Sequence, residues 1–274
     1  MKLKSIACLL ASVALCVSLV GCGGQSQDQT GSQQVETVSI DATPIQVERS
    51  GFSVSNDGEV NYVFTMNNPN DGYIADRVTF SISGYDEDGN MVLGAAESVE
   101  RMFPGIQYAV AGTSFMAGSG TLSRIEIAPS MDGIGWIETD IDPDSVSGLF
   151  SIVNPRTARL ADDSASISGR VVADEEETIA NIEGVSADAI SAKICAVLLD
   201  SEGNLVGGAM ADGLVFDQEE GVVHETEGTS GNGEAEEQAE DASSEGEVLK
   251  AAQFSITIQG APGFKECRYF VMPV

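Results

Sequence analysis

The chain reads as an all-β protein, built from two tandem antiparallel β-sandwich domains, and three observations carry that reading. Apolar residues recur at every second position in several stretches. No comparably strong period of 3.6 follows residue 22. One strand-turn-strand segment occurs twice, about 114 residues apart.

Residues 1–21 stand outside this pattern. Lys2 and Lys4 precede an uncharged, mostly apolar stretch from Ile6 to Val20, which stops at Gly21-Cys22-Gly23-Gly24. A positive start, a short apolar centre and small residues at its end form a secretory signal, because the charged end stays on the cytoplasmic side while the centre threads the membrane. At 15 residues the stretch is short of the roughly 20 that a spanning helix needs. The sequence Leu19-Val20-Gly21-Cys22 resembles the lipobox of bacterial lipoproteins. That resemblance implies a diacylglycerol thioether on Cys22, cleavage before it, and a mature chain anchored at the extracytoplasmic face of the cell membrane. At roughly 0.8 kcal/mol per buried CH₂, two or three acyl chains make such an anchor effectively permanent.

Cleavage leaves 253 residues with 11 basic and 43 acidic side chains, a net charge of −32. Nucleic acids and anionic lipid surfaces are recognised by basic patches, so this balance argues against both as partners. Acidic surfaces also keep exported proteins soluble, and that is the simpler account of the charge. Of the five cysteines, Cys195 and Cys267 are the two left for the folded part. In an oxidising compartment they are a disulfide candidate that would close a loop of about 70 residues, contributing roughly 4 kcal/mol in the chain-entropy model. Two buried free thiols are the alternative.

Along the mature chain, residues 22–40 are Gly-, Ser- and Gln-rich and form a tether that lifts the fold from the membrane. The first sandwich spans 41–140. Val60, Tyr62, Phe64 and Met66 alternate with Asn61, Val63, Thr65 and Asn67, and Val78, Phe80 and Ile82 alternate with Thr79, Ser81 and Ser83, the mark of half-buried strands. A phase slip across Arg49-Ser50-Gly51 signals a bulge. Asn67 to Gly72 and Asp86 to Asn90 carry turn chemistry, since Asn, Asp and Gly accept positive φ and Asx side chains cap the local backbone. Residues 141–158, with Asp142-Pro143-Asp144 and Asn154-Pro155, form the linker, and 159–274 the second sandwich.

The repeat ties the two halves together. Phe80-Ser81-Ile82-Ser83-Gly84-Tyr85-Asp86-Glu87-Asp88-Gly89-Asn90 and the residues to Ala95 align without a gap on Ile194 to Ala209. Both copies have an apolar strand, an Asp that opens the turn, Gly-Asn that closes it and a second strand entering Gly-Ala. Downstream, Tyr108 to Phe115 and Leu122 to Ile127 correspond to Phe254 to Ile258 and Phe264 to Val271. Into the second copy is inserted Asp217 to Glu247, with 12 acidic residues and no Lys or Arg. Such a segment repels itself and is expected to be a disordered acidic loop between strands.

Few residues offer chemistry. The single histidine, His224, lies in the acidic insert, where it cannot be held beside a nucleophile, so Ser/His/Asp and Cys/His catalysis and a His-based zinc site are excluded. No glycine-rich phosphate loop precedes a helix. The reading is that of a protein with no enzymatic activity and no cofactor. Asp86, Asp88 and Asn90 set oxygens at alternate positions, the arrangement hard cations use, and are the calcium candidate; Asp140, Asp142 and Asp144 form a similar series. Gly89 falls too early for an EF-hand loop, and the turn accounts for these side chains without metal. Trp136, among aliphatic neighbours, reads as core at an end of the first sandwich or at the junction.

The segment Phe80 to Asn90 resembles the strand-turn core of FxLYD-type immunoglobulin-like domains in bacterial surface lipoproteins; the second copy departs at Leu198-Leu199-Asp200, which has no aromatic. The resemblance implies immunoglobulin-like sandwiches and an accessory surface role, and brings no catalytic residues. The expected function is that of a lipid-anchored binding protein whose loops or sheet edges meet a protein, glycan or envelope component. A solute-binding lipoprotein of a transport system is the alternative. Such receptors are usually built as two α/β lobes around a cleft, and the helical periodicity this requires is lacking.

Overall fold

Alternating side chains make the first hairpin from β1 (Gln46–Val54) and β2 (Glu59–Asn67) in the computed structural model. It describes residues 37–118, 120–160, 163–173, 191–215, 217–218, 250–260 and 263–273. Among these the protein is all-β, with antiparallel sheets and one short helix. The first half continues with β3 (Tyr73–Tyr85), β4 (Met91–Met102), β5 (Gln107–Phe115), β6 (Arg124–Ser130) and β7 (Gly135–Glu138). One sheet has the order β1-β2-β5 and the other β4-β3-β6, with β7 pairing the early part of the long β3. The register shift in the first hairpin falls between Val47 and Arg49, slightly earlier than the phase slip in the sequence suggests.

The second half repeats that arrangement. Its strands are β8 (Phe150–Arg159), β9 (Ala165–Ala173), β10 (Ser191–Leu199), β11 (Leu205–Val215), β12 (Asp217–Gln218), β13 (Lys250–Ile258) and β14 (Glu266–Pro273). Its sheets run β12-β13-β9-β8 and β11-β10-β14. Thus β8, β9 and β13 take the places of β1, β2 and β5, while β11, β10 and β14 take those of β4, β3 and β6. The sequence correspondences downstream of the repeat fall on these equivalent strands.

Residues 141–158, read as a linker, hold α1 (Pro143–Ser147) and most of β8. Asp142 caps α1 by accepting from the Asp144 N–H at 3.1 Å, and Pro143 fills the first turn, where a missing N–H costs nothing. Asp217 and Gln218 belong to β12, paired with Ala251 and Lys250, so the described strand runs two residues into the acidic segment.

Each half encloses its own apolar layer between its two sheets. In the first, Phe64 of β2 meets Phe80 of β3 with ring centroids 5.2 Å apart, and Tyr62 donates from its hydroxyl to Glu97 Oε1 at 2.6 Å. In the second, Ile167 of β9 and Phe254, Ile256 and Ile258 of β13 pack with Ile194 and Leu198 of β10. Trp136 is buried in the first half, its strand paired with β3 and bridged by Val38.

The alternation in β2 predicts one wet face. The structure buries both: Asn61, Val63 and Thr65 are as inaccessible as Tyr62, Phe64 and Met66. The reason is a third packing layer, in which the β1-β2-β5 sheet lies against the β11-β10-β14 sheet of the second half. Strand β10 shows the consequence. Cys195, Val197 and Leu199 join the core of the first half, while Ala192, Ile194, Ala196 and Leu198 join that of the second.

Candidate functional site

Small residues bring the two halves close. A Cβ added at Gly208 of β11 would lie 2.9 Å from Val63 Cγ2 and 3.1 Å from Ala111 Cβ, so only glycine lets the sheets meet at this point. The backbone N–H of Gly208 donates to Asn61 Oδ1 at 2.8 Å, a buried hydrogen bond joining residues 147 apart. Nearby, Arg49 of β1 donates from Nη2 to the carbonyl of Gly203, in the repeated turn of the second half. A buried polar group must find a partner, and here the partner is supplied by the other half.

At the edge of this seam lies a shallow cleft with room for about 20 Å³ of water-sized space. Residues 98–101 of β4 line it together with Val110 of β5, Lys193 of β10, Met210 of β11 and Met272 of β14. It is therefore built from strands of both halves. Four consecutive residues of one strand contribute, and that strand, β4, ends its sheet. Val99 and Met272 are buried, and Met210 packs against the core, which gives the cleft an apolar lining. Arg101 and Lys193 bring positive charge, and Asp76 Oδ1 lies 4.0 Å from Arg101 Nε.

The residues singled out in the sequence fall elsewhere. Asp86, Asp88 and Asn90 form the β3–β4 turn. Asn90 donates from its backbone N–H to Asp86 Oδ1 at 2.7 Å and from Nδ2 to Oδ2 at 3.0 Å. These bonds, that of the Asn90 side chain foremost, hold the Asp86 carboxyl below its usual range. In the second copy Asn204 makes the same pair of bonds to Asp200, at 2.8 and 3.0 Å, with the same effect. Gly89 and Gly203 both sit at φ 82°, where a side chain would be strained. Both oxygens of each Asp are engaged in closing a turn. Among the described residues no three His, Cys, Asp or Glu side chains are grouped to hold a metal ion.

Cys195 and Cys267 are both free thiols, so the candidate bridge is not formed. Strand geometry explains why. In the β10–β14 ladder Cys267 stands opposite Leu198 and Cys195 opposite Phe270, an offset of three, which in a period-two strand sends the two side chains to opposite faces. Cys195 faces the first half and Cys267 the core of the second. Burial, the leading cause in each, pushes both thiols above their ordinary pKa. Cys22, His224 and the acidic segment beyond Gln218 lie outside the described residues. Among those described, no helix is long and apolar enough to cross a membrane.

The sequence pointed to none of the cleft residues, because Arg101 and Lys193 belong to no motif and lie 92 positions apart. A signal was nonetheless present: where the first copy has Ser81 and Ser83, the second has Cys195 and Val197. No protein-family model matches the chain, and no curated protein matches its sequence.

Proposed function

We propose that this chain is a lipid-anchored extracytoplasmic accessory protein that binds an envelope partner through two stacked immunoglobulin-like sandwiches. The observation that carries the reading is the cleft at the seam, to which both halves contribute an apolar lining and a cation. Binding pockets favour such junctions, where an apolar surface is joined by a few placed polar groups. The Lys2, Lys4 and Ile6 to Val20 pattern, ending at Cys22, supports export and anchoring. The shared strand order of the two halves supports a duplicated module. No part of the proposal needs a cofactor or a reaction.

Two measurements test it. Cells fed a labelled fatty acid should place the label on the wild-type chain and not on Cys22→Ser, and only the wild type should stay with membranes after carbonate washing. A photo-crosslinking amino acid at position 98, beside the cleft, should trap a discrete envelope partner in intact cells, whereas the same group at position 81, on the outer face of β3, should trap none. Membrane retention of a processed Cys22→Ser chain, or equal trapping at both positions, would overturn the proposal.

A further inference from the structure

Charge is not spread evenly over the sheets. Strands β8, β9, β12 and β13 hold Arg156, Arg159, Arg170 and Lys250 against one acidic residue, Asp217, in a chain with 13 basic and 43 acidic side chains. Alternate residues of these strands, Ile167, Phe254 and Ile256 among them, face the core. The register sets the others in rows across the outward face: Ala158-Ser166-Thr257, Arg156-Ser168-Ser255 and Val153-Arg170-Gln253. Arg156, Ala158, Gln253, Ser255 and Thr257 are exposed, and Ser166, Ser168 and Arg170 between them are half-buried. Asp217 pairs with Ala251 beyond the last row, and Asp163 lies off the sheet in the β8–β9 turn. A bulge completes this face. Between Val153 and Arg156, β8 takes three steps while β9 takes two, with Asn154 at φ 52°, a conformation Asn accepts. Without the extra residue the outward place opposite Ser168 would fall to Pro155; with it, the place falls to Arg156. Arg159 is engaged by the Phe264 carbonyl and Arg170 has a contact of its own, whereas Arg156 makes no ion pair or side-chain hydrogen bond among the described residues.

We propose that this face binds a linear polysaccharide that carries carboxylates, with Arg156 as the cation that meets them. A guanidinium pairs a carboxylate through two parallel N–H bonds. The hydroxyls of Ser166, Ser168, Ser255 and Thr257 and the amide of Gln253 both donate and accept, which matches the hydroxyls of a sugar chain. In a chain whose formal balance is −30, a polyanion meets least repulsion where acidic side chains are missing. The rows hold no aromatic, Leu or Met side chain, and such anchors are what protein interfaces depend on, so the face suits a polymer of hydroxyls and charges better than a folded partner. An open sheet also lets an extended chain lie along it without an enclosed pocket.

This face belongs to a different sheet from the strands that line the cleft, and its test is separate. Fluorescein-labelled octagalacturonate is titrated into the full chain in non-ionic detergent and followed by fluorescence anisotropy, beside its methyl ester, which keeps the hydroxyls and loses the charge. The anionic oligomer should bind saturably, and the ester about tenfold more weakly or worse. Arg156→Glu should weaken the anionic oligomer by a similar factor, as should Ser255→Leu, which raises a bulky side chain in the middle row. Thr79→Glu, on the outer face of the first half, should leave binding unchanged; circular dichroism confirms that each variant is folded. No saturable binding, equal binding of the ester, or unaltered affinity in Arg156→Glu would overturn the inference. Binding seen only after removal of residues 220–248 would assign the face to the chain's own acidic segment and would overturn it as well. None of these results bears on acylation of Cys22 or on trapping at position 98, so failure here is distinct from failure of the functional reading.

Discussion

The outer face of β3 turns Thr79 and Ser81 to water, with Ser83 half-buried beside them, whereas the same three places on β10 hold Lys193, Cys195 and Val197, the last two fully buried. Neighbouring strands differ in the same sense, with exposed Ala96 of β4 matched by Met210 of β11 against the core. The other sheet reverses the contrast. In the first half Ala109 and Ala111 of β5 are buried, while Gln253, Ser255 and Thr257 of β13 in the second are exposed. Each half therefore buries the outer face of one sheet and wets that of the other, but not of the same sheet. This is a head-to-tail contact, and such contacts propagate unless the end faces are unsuitable. Here both outer faces are polar, with hydroxyls of Thr79 and Ser81 at one end and Gln253, Ser255 and Thr257 at the other, as on the capping repeats of longer arrays.

Exchanging residues between copies breaks the comparison most directly. Val197→Ser gives the second half the residue of its counterpart Ser83; it removes buried methyls and leaves a hydroxyl without water, and should cost about 3 kcal/mol in denaturant unfolding. The reciprocal Ser83→Val should stay within about 0.5 kcal/mol, since that face has no covering layer. Equal effects would mean that the stacked arrangement is absent in solution. Next in size is Asn61→Ala, which strands the Gly208 N–H and should cost about 2 kcal/mol by the same measurement.

The thiols report on the same layer. Intact-mass measurement of the chain should show no loss of two hydrogens between Cys195 and Cys267. Cys267, partly exposed, should alkylate in the folded state, and Cys195 only after unfolding. A smaller effect is expected from replacing residues 220–248 by a short Gly-Asn turn. Asp217 and Gln218 already pair with Ala251 and Lys250, so the ends to be joined are adjacent, and the unfolding free energy should change by less than about 1 kcal/mol. A larger loss would show that the acidic segment packs.

The smallest effects concern the turns, where the two halves agree. Both Asp86 and Asp200 should titrate below the ordinary aspartate value in a carbon-13 NMR experiment. A carboxyl with a depressed folded-state pKa binds fewer protons than its unfolded form. Its stabilising contribution is therefore present above about pH 4 and is lost as pH falls through the folded value. Asn90→Ala should return Asp86 toward the ordinary value and leave Asp200 untouched, because each turn is closed by its own Asn.

Periodicity and turn chemistry act over a few residues, so they were legible in the sequence. Alternating side chains marked the strands, and Asp-to-Asn turns with glycine at positive φ marked the hairpins. The gapless match of Phe80–Ala95 to Ile194–Ala209 foretold that the halves share a strand order. The face each strand buries was only half legible, because alternation identifies two faces without saying what covers them. Asn61, Val63 and Thr65 looked like a wet face, and only the second half's sheet makes them interior. Cys195 and Cys267 looked like a pair by compartment and count, and only the β10–β14 register turns them to opposite sides. The cleft was not legible at all, since it joins an edge of β4 to β10, β11 and β14, elements brought together by the stacking of sheets. Local rules determined what each segment of this protein is; contact between layers distant in sequence decided which surfaces face water.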